Sequence, residues 1–308
     1  MRRHIITVTL NPSIDVTLWV DGMHPDKTNR VLSETREVGG KGINVSRVVR
    51  SFGLENLCIA VAGSDNCREF SDFLEQDGLQ YELLQVDGLV RENLTLRNES
   101  ETMKINRKGP ALSTLMIGAL MALVQTRLRA DDIVVFAGSL PENVSVQDYV
   151  ELILAIKKSG ARIALDSDML RLEDYRRISP WLIKPNIHEL NNIIPVQGTT
   201  ITDVVDAAHT LREAGVENVL VSLGGNGLVY VGEEGVVRAA VPQVEVKSTV
   251  GAGDSALAGF LVGAAKGQSV EDSVRLAAAC GTACAMLDGT AVATKETAAL
   301  LLEQITIS

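Results

Sequence analysis

The segment Ser248–Ser255 (STVGAGDS) leads directly into the apolar stretch Ala256–Ala265 (ALAGFLVGAA), a pattern that predicts a buried helix beginning at Gly253. Glycines at a helix start leave backbone N–H groups free to point at a ligand, and the helix dipole adds partial positive charge there. The segment therefore predicts an anion hole for a phosphoryl group that develops negative charge. Asp254, in the first helical turn, is placed to accept the proton of an attacking hydroxyl group as a weak base.

Two other interpretations of this segment exist. A lone Gly-x-Gly-Asp also suits a plain helix start, in which Asp254 only stabilises the helix end. The spacing Gly251-x-Gly253-x-x-Ala256 also matches a dinucleotide-binding turn, which requires a following strand that ends in an acid about 20 residues on. Here a second helical pattern, Glu271–Met286, follows instead, so the dinucleotide interpretation fails on context. The sequence contains no Gly-x-x-x-x-Gly-Lys-Ser/Thr motif either.

Upstream of this segment, short β-branched runs alternate with segments of helical period. The predicted strands are Ile5–Leu10, Leu57–Ala62, Ile133–Ala137, Arg162–Asp166, Trp181–Lys184, Asn218–Leu223 and Gly227–Val231. The predicted helices are Asn44–Phe52, Ala111–Leu128, Val146–Lys158, Asp203–Ala214 and Gly253–Ala265. Such alternation predicts an α/β fold, with right-handed crossovers and a mostly parallel sheet covered on both faces.

Two polar stretches, Val16–Glu37 and Arg91–Arg107, interrupt this alternation and lack a helical pattern. They contain alternating residues such as Leu94-Thr95-Leu96-Arg97, which favour extended structure. We therefore predict one domain over residues 1–308, with lid segments at about 13–37 and 90–107 that pair into a small sheet over the site.

The composition excludes several classes of protein. The 308 residues are 46% hydrophobic and only 4% aromatic, so the predicted core consists of Val, Leu, Ile and Ala. A net charge of -10 argues against a nucleic-acid or anionic-membrane partner. Within this acidic chain, residues 1–50 carry eight Lys or Arg, including Arg2 and Arg3, against five Asp or Glu. This local excess suits an anionic small ligand, although scattered surface charge would also explain it.

The four cysteines predict reduced, buried thiols in a cytoplasmic protein rather than a zinc site, because they are not clustered with histidines. Ile5–Leu10 is too short for the core of a signal peptide, and no run reaches the roughly 20 apolar residues of a membrane helix.

Two further motifs near the N-terminus suit ligand binding. Gly39–Asn44 (GGKGIN) opens a helix, and its small residues let a ligand approach the backbone while Lys41 supplies positive charge. Asn11–Asp15 (NPSID) ends the first strand, and ligands in α/β folds bind at the carboxyl ends of strands. Each motif taken alone also suits an ordinary surface turn.

Together these motifs resemble the PfkB, or ribokinase-like, carbohydrate kinases. The resemblance covers nearly the whole chain and is closest to the 1-phosphofructokinase and tagatose-6-phosphate kinase branch. It is carried by Val38–Arg50 (VGGKGINVSRVVR), Ala137–Pro141 (AGSLP), Lys184–Glu189 (KPNIHE), Ser222–Gly227 (SLGGNG) and Ser248–Gly259 (STVGAGDSALAG). The resemblance implies a ribokinase-like three-layer core with a β-sheet lid.

The resemblance also implies residue roles. Asp254 is expected to be the catalytic base, and the backbone amides of Ala252, Gly253 and Asp254, together with Gly251 before them, are expected to form the anion hole. The residues expected to hold the sugar or its phosphate are Asp15, Arg30, Gly39, Gly40, Lys41, Asn44, Arg91, Asn93 and Ser139. The residues expected to contact ATP are Lys184, Asn186, Ser222, Gly224, Gly227 and Gly281. Asn186 and Glu189 are expected to organise the Mg²⁺ of Mg-ATP, through water.

The function that follows is ATP-dependent phosphorylation of a ketohexose phosphate, with fructose 1-phosphate as the first expectation. Tagatose 6-phosphate and fructose 6-phosphate remain open as substrates. A kinase of an unphosphorylated sugar or nucleoside, and a sugar-phosphate sensor without turnover, are the remaining alternatives. The resemblance also implies a homodimer formed through the lid.

Overall fold

A computed structural model describes residues 4–195 and 200–308, so Arg2 and Arg3 of the basic N-terminal stretch lie outside the described residues. Fourteen strands occur in the described ranges. They are β1 Ile5–Thr9, β2 Ser13–Val20, β3 Val31–Gly39, β4 Asn56–Gly63, β5 Tyr81–Val86, β6 Arg91–Arg97, β7 Thr102–Asn106, β8 Ile133–Ala137, β9 Arg162–Asp166, β10 Leu182–Ile183, β11 Asn218–Ser222, β12 Leu228–Gly232, β13 Gly235–Ala240 and β14 Thr306–Ile307.

Ten α-helices connect these strands within the same ranges. They are α1 Lys41–Ser51, α2 Cys67–Gln76, α3 Thr114–Arg127, α4 Val146–Lys158, α5 Leu172–Ile178, α6 Ile187–Ile193, α7 Ile201–Glu213, α8 Ala252–Ala265, α9 Val270–Ala285 and α10 Lys295–Ala299. In this part of the chain, no helix is long and apolar enough to cross a membrane.

The large sheet has ten strands in the order β14-β13-β12-β11-β10-β9-β8-β1-β4-β5. The pairs from β11 through β5 are parallel, and the pairs from β11 to β14 are antiparallel. The predicted α/β fold with a mostly parallel sheet is therefore confirmed. Because parallel strands share one direction, the carboxyl ends of β1, β8, β9 and β10 meet at one edge of the sheet.

Helices cover both faces of this sheet, as alternation along β1 shows. Ile6 and Val8 belong to an apolar cluster that contains residues of α3 and α4, such as Leu120 and Ile153. Ile5 points the other way, into a cluster built from α1, α8, α9 and α10. Successive side chains of a strand face opposite sides, so these two clusters are the two cores of a three-layer fold.

The second sheet has four strands in the order β3-β2-β6-β7, drawn from the two segments predicted to form a lid. Its base packs onto the large sheet, because Ile14, Val16 and Val38 share a buried cluster with Cys58 and Ala60 of β4. Both β2 and β3 reach the carboxyl end of β1, where Ser13 pairs with Gly39 across the sheet. The small sheet therefore stands over the end of the large sheet at which ligands are expected.

Candidate active site

The N-terminus of α8 carries a buried carboxylate. Gly251 precedes the helix with φ 76°, a left-handed conformation that glycine adopts without strain. Asp254 lies in the first turn, is only 6% exposed, and accepts a hydrogen bond of 2.8 Å from Nδ2 of Asn44. The structure thus brings together two motifs that are 210 residues apart in the sequence.

Burial and the negative charge of Asp166 together raise the pKa of Asp254 to about 6, against the opposing effects of the Asn44 hydrogen bond and of the Lys41 and Lys184 charges. The helix position alone led us to expect a weak base. The tertiary surroundings make Asp254 a stronger base than an ordinary aspartate while leaving it ionised at neutral pH.

Asp166, the last residue of β9, lies between two lysines. Its Oδ1 is 2.9 Å from Nζ of Lys41, and its Oδ2 is 3.3 Å from Nζ of Lys184. Burial disfavours the charged form of Lys41 and acts to lower its pKa. The charge of the Asp166 carboxylate and its hydrogen bond outweigh this effect, so the pKa of Lys41 is raised. The Lys41 ammonium is therefore paired with Asp166 at the end of β9, beside Asp254. From the sequence, Lys41 is expected only at the sugar or its phosphate.

Polar side chains cluster around Asp15 of β2, and this cluster, with Ser13 and Asn93, is called the polar pocket below. Oδ1 of Asp15 accepts hydrogen bonds from Ser13 Oγ at 2.8 Å and from Asn93 Nδ2 at 2.9 Å. A Cβ atom on Gly39 would clash with Oδ2 of Asp15, so glycine is required there for the carboxylate to keep its place. Asp15, Gly39 and Asn93 are thus brought together as predicted, in an arrangement able to accept hydrogen bonds from sugar hydroxyls.

A half-buried cation borders this pocket. The Arg91 guanidinium makes long contacts to Pro12 O at 3.4 Å and to Ser139 Oγ at 3.5 Å. Burial lowers the pKa of Arg91, against the effect of the nearby Asp15 charge. No carboxylate forms an ion pair with Arg91 in residues 4–195 and 200–308. Arg91 is therefore available to bind an anion.

Asn11 orients Ser139, the neighbour of Arg91 in this pocket. Nδ2 of Asn11 donates to Ser139 Oγ at 3.1 Å, so the hydroxyl oxygen is used as an acceptor and its proton is left for another partner. Asn11 is 8% exposed, and its Oδ1 has no hydrogen-bond partner within the described residues.

Arg30 is not brought to this pocket. It is exposed and directly precedes β3, whose first residue, Val31, pairs with Val20, whereas the pocket lies at the opposite end of that strand pair. The distance along β3 from Val31 to Gly39 is roughly 26 Å, at about 3.3 Å per residue. Within one chain, Arg30 therefore lies far from Asp15.

A cleft of about 380 Å³ opens on the other side of the α8 N-terminus. Among the residues predicted to contact ATP, it is lined by Asn186, Ser222, Gly224, Gly227 and Gly281. Gly227 has φ 90° and a Cβ atom there would clash with the carbonyl oxygen of Ala239, which explains the glycine. Lys184 does not line the cleft; its Nζ lies 3.2 Å from the position that a Cβ atom of Gly253 would occupy.

Asn186 and Glu189 form the reciprocal cap of α6. The Glu189 N–H donates to Asn186 Oδ1 and the Asn186 N–H donates to Glu189 Oε2, both at 2.9 Å. These bonds occupy one oxygen of each side chain and leave Glu189 Oε1 outside the cap. In residues 4–195 and 200–308, no group of three or more His, Cys, Asp or Glu side chains is arranged to hold a metal ion. This donor set fits an ion held mainly by water and phosphate oxygens, which Mg²⁺ prefers.

Sequence reasoning missed three parts of the site. Asp166 was not assigned a role, although an acid at the end of a buried strand is a signal of the same kind as Asp15. Asn11 was quoted within a motif but was given no role. The far wall of the cleft, which includes Val241, Val244 and Val246, follows β13 and has no periodic pattern by which to recognise it.

The chain is similar to several known proteins. It is 34% identical over 304 residues to the 1-phosphofructokinase of Bacillus subtilis (strain 168), covering 99% of both chains. It is 31% identical over 309 residues to the 1-phosphofructokinase of Vibrio cholerae, covering 100% of this chain and 98% of that one. The crystal structure of phosphofructokinase-2 from Escherichia coli in complex with fructose-6-phosphate superposes with a TM-score of 0.89, at 27% identity and 99% coverage of each chain.

These relatives, which cover nearly the whole chain, identify it as a phosphotransferase whose acceptor is an alcohol group. The chain belongs to the pfkB family of carbohydrate kinases, whose match extends over residues 7–297.

Proposed function

We propose that this kinase transfers the γ-phosphoryl group of ATP to fructose 1-phosphate and yields fructose 1,6-bisphosphate. The observation that carries this proposal is the position of Asp254. This buried base lies between a glycine-lined cleft of nucleotide size and the polar pocket that ends in Arg91, a cation with no carboxylate partner among the described residues. The similarity to two 1-phosphofructokinases favours fructose 1-phosphate over the 6-phosphates of fructose and tagatose.

In this proposal Asp15, Gly39, Gly40, Asn44 and Asn93 hold the sugar so that its acceptor hydroxyl faces Asp254. Asp254 accepts the proton of that hydroxyl as the phosphoryl group is transferred. The backbone N–H groups at Gly251, Ala252 and Gly253 stabilise the negative charge on the transferring group, at the positive end of the α8 dipole. The small sheet keeps water away from the transferred group.

ATP is assigned to the cleft, with Ser222, Gly224, Gly227 and Gly281 along its walls. Mg²⁺ bound with ATP would neutralise phosphate charge, and Glu189 with Asn186 would hold it through water. Lys184 is reassigned from the nucleotide cleft to the transfer centre, because its ammonium faces Gly253. Lys41 joins it there, because its ammonium pairs with Asp166.

The first experiment measures ADP release from Mg-ATP with fructose 1-phosphate, fructose 6-phosphate, tagatose 6-phosphate and free fructose. We expect the highest kcat/KM with fructose 1-phosphate and very little turnover of free fructose. A preference for either 6-phosphate would correct the substrate and keep the class. ATP binding without ADP release for every sugar phosphate would support a sensor and overturn the proposal.

Arg91 is assigned to the phosphate that the sugar already carries. Replacing Arg91 with Ala is expected to raise KM for the sugar phosphate by about 10- to 100-fold, the usual effect of losing a hydrogen-bonded charge. The effect on kcat is expected to be smaller, because the contact exists both before and during transfer. Arg97→Ala is the matched control, since Arg97 ends the same strand and stacks on Trp19, 5.0 Å from the ring centre. Equal KM values in the two variants would remove Arg91 from the phosphate site.

We also propose a homodimer formed through the small sheet and a cytoplasmic location. The two edge strands of the small sheet expose Leu32 and Met103, which are 70% and 50% exposed. A monomeric mass in sedimentation would contradict the dimer.

All four cysteines are free and buried, which suits a reducing compartment such as the cytoplasm. Cell fractionation tests the proposed cytoplasmic location.

A further inference from the structure

Asp166 is the most buried charged group near the site, and the proposed mechanism gives it no role. Its side chain is 2% exposed, and each of its two oxygens faces the ammonium group of a different lysine. Lys184 is nearly as buried, at 4%, whereas Lys41 remains 37% exposed on the side of the pocket. The three side chains form a single cluster, and the neighbouring Asp254 carboxylate balances the second lysine charge.

Such a buried ionic cluster contributes little to the stability of the fold. Charges removed from water lose hydration, and well-packed apolar groups of similar volume stabilise a protein as well or better than a buried ion pair. Here both lysines have Asp166 as their direct ion-pair partner, while Asp254 acts on them through its charge. An ammonium group has three hydrogen-bond donors, so each lysine can also bind an oxygen of a phosphoryl group.

The two lysines face the place where phosphoryl transfer is proposed. Nζ of Lys184 would lie 3.2 Å from a Cβ atom on Gly253, so the ammonium adjoins the N-terminal turn of α8. The charge of Lys41 acts on the carboxylates of Asp254 and Glu189 as well as on that of Asp166. Asp166 thus contacts both of the ammonium groups whose charges reach this part of the site.

We propose that Asp166 is a positioning residue for transfer: it holds the ammonium groups of Lys41 and Lys184 at the N-terminus of α8, without itself contacting either substrate. This inference rests on the proposed function, because it assumes that the transferred phosphoryl group lies at that helix end. Long lysine side chains have many rotamers, and a buried anion shared between them fixes both in one geometry.

Asp166 has a second effect, on the proton acceptor. The ionisable groups that face Asp254 are Asp166 from β9, Lys41 from α1, Lys184 after β10 and Cys284 from α9. Burial and the Asp166 charge raise the pKa of Asp254 to about 6, while the two lysines lower it. Below that pKa, Asp254 is protonated and cannot accept the hydroxyl proton, so kcat/KM of the wild type falls as the pH drops through about 6.

Asp166→Asn removes the charge but keeps the shape, so both effects are tested together. We expect kcat to fall by about 100-fold, as for loss of a preorganised electrostatic group. We also expect the acid limb of the pH profile to move to lower pH, because the pKa of Asp254 loses a negative neighbour. Sugar phosphate and ATP also titrate near this pH, but their titration is the same in assays of the wild type and of Asp166→Asn. A difference between the pH profiles of these two enzymes therefore arises from the protein.

Asp168→Asn is the matched control, since it makes the same chemical change on an exposed residue two positions further on. Its kcat and acid limb are expected to equal those of the wild type. A kcat of Asp166→Asn within twofold of the wild type, or a reduced kcat with an unmoved acid limb, would overturn the proposal. So would a lowered Mg²⁺ affinity whose loss of turnover is restored by excess Mg²⁺, because that would make Asp166 a metal ligand.

If Asp166→Asn does not fold, Asp166→Glu decides the question, because it keeps the charge and displaces it by one methylene group. We then expect an unmoved acid limb and a kcat reduced by about 10-fold or more, from misplaced lysines. A wild-type kcat in this variant would overturn the proposal. Absence of turnover in the wild-type enzyme with every sugar phosphate would instead reject the proposed function, so the two failures are distinguishable.

Discussion

Asp254→Asn is expected to lower kcat by about 1,000-fold, within the range for loss of a general base. The asparagine has nearly the same shape and its side-chain oxygen still accepts the hydrogen bond from Asn44, but it cannot take up the proton of the acceptor hydroxyl. KM for both substrates is expected to change by less than about threefold, because the lost interaction belongs to the transition state. Steady-state kinetics with a coupled ADP assay measures both constants.

Asp272→Asn provides the control for this first variant. Asp272 occupies the third position of α9, as Asp254 does in α8, but it is exposed and its carboxylate accepts from Ser269 Oγ at 2.8 Å. A plain helix-end carboxylate would affect stability in both variants and turnover in neither. Near-wild-type turnover in Asp254→Asn would therefore reject the base assignment and restore that plain interpretation.

Asp15→Ala is expected to lower kcat/KM for the sugar phosphate by about 100- to 1,000-fold, because a site built to hydrogen-bond hydroxyl groups depends strongly on those bonds. The loss also frees Ser13 and Asn93, which donate to Oδ1 and hold the carboxylate in one orientation. KM for ATP is expected to stay unchanged, because the nucleotide cleft lies on the other side of Asp254.

Two comparisons sharpen this second prediction. Glu101→Ala alters an exposed carboxylate just before β7, away from the pocket, and is expected to behave as the wild type. Gly39→Ala keeps the Asp15 carboxylate but forces Oδ2 to move, and is expected to lower kcat/KM in the same direction. If Asp15→Ala changed KM for ATP and left the sugar kinetics intact, the polar pocket would not be the sugar site.

The Arg91 variant and these two variants together test where each part of the sugar phosphate lies. Arg91→Ala is expected to act on KM, Asp254→Asn on kcat, and Asp15→Ala on both. We expect this separation because the three groups are assigned, in that order, to the phosphate, the reacting hydroxyl and the other hydroxyls of the proposed substrate. Variants that all changed the same constant by the same factor would argue for a general loss of structure instead.

Local patterns in the sequence determined the class of fold and most of the motifs. The strands Ile133–Ala137 and Arg162–Asp166 have the predicted bounds, because each contains a short buried apolar run with polar residues near both ends. The helix that carries Asp254 begins within one residue of its predicted start, and the two extended segments form the second sheet. Short or terminal elements such as β14 and α10 were missed, since they depend on packing against neighbours more than on their own periodicity.

Only the tertiary structure decided the electrostatics of the site. Asn44, Asp166 and Asp254 come from three distant parts of the chain, and their mutual burial raises the pKa of Asp254 where helix position alone predicts a weak base. The fold also brings Lys41 against Asp166, which forms an ion pair with it. The direction of β3 places Arg30 at the end of that strand far from the pocket. A sequence pattern reports which side chains a segment carries and which face they share. Charge interactions depend on distance and burial across the whole fold, and these exist only once the parallel strands bring their carboxyl ends together.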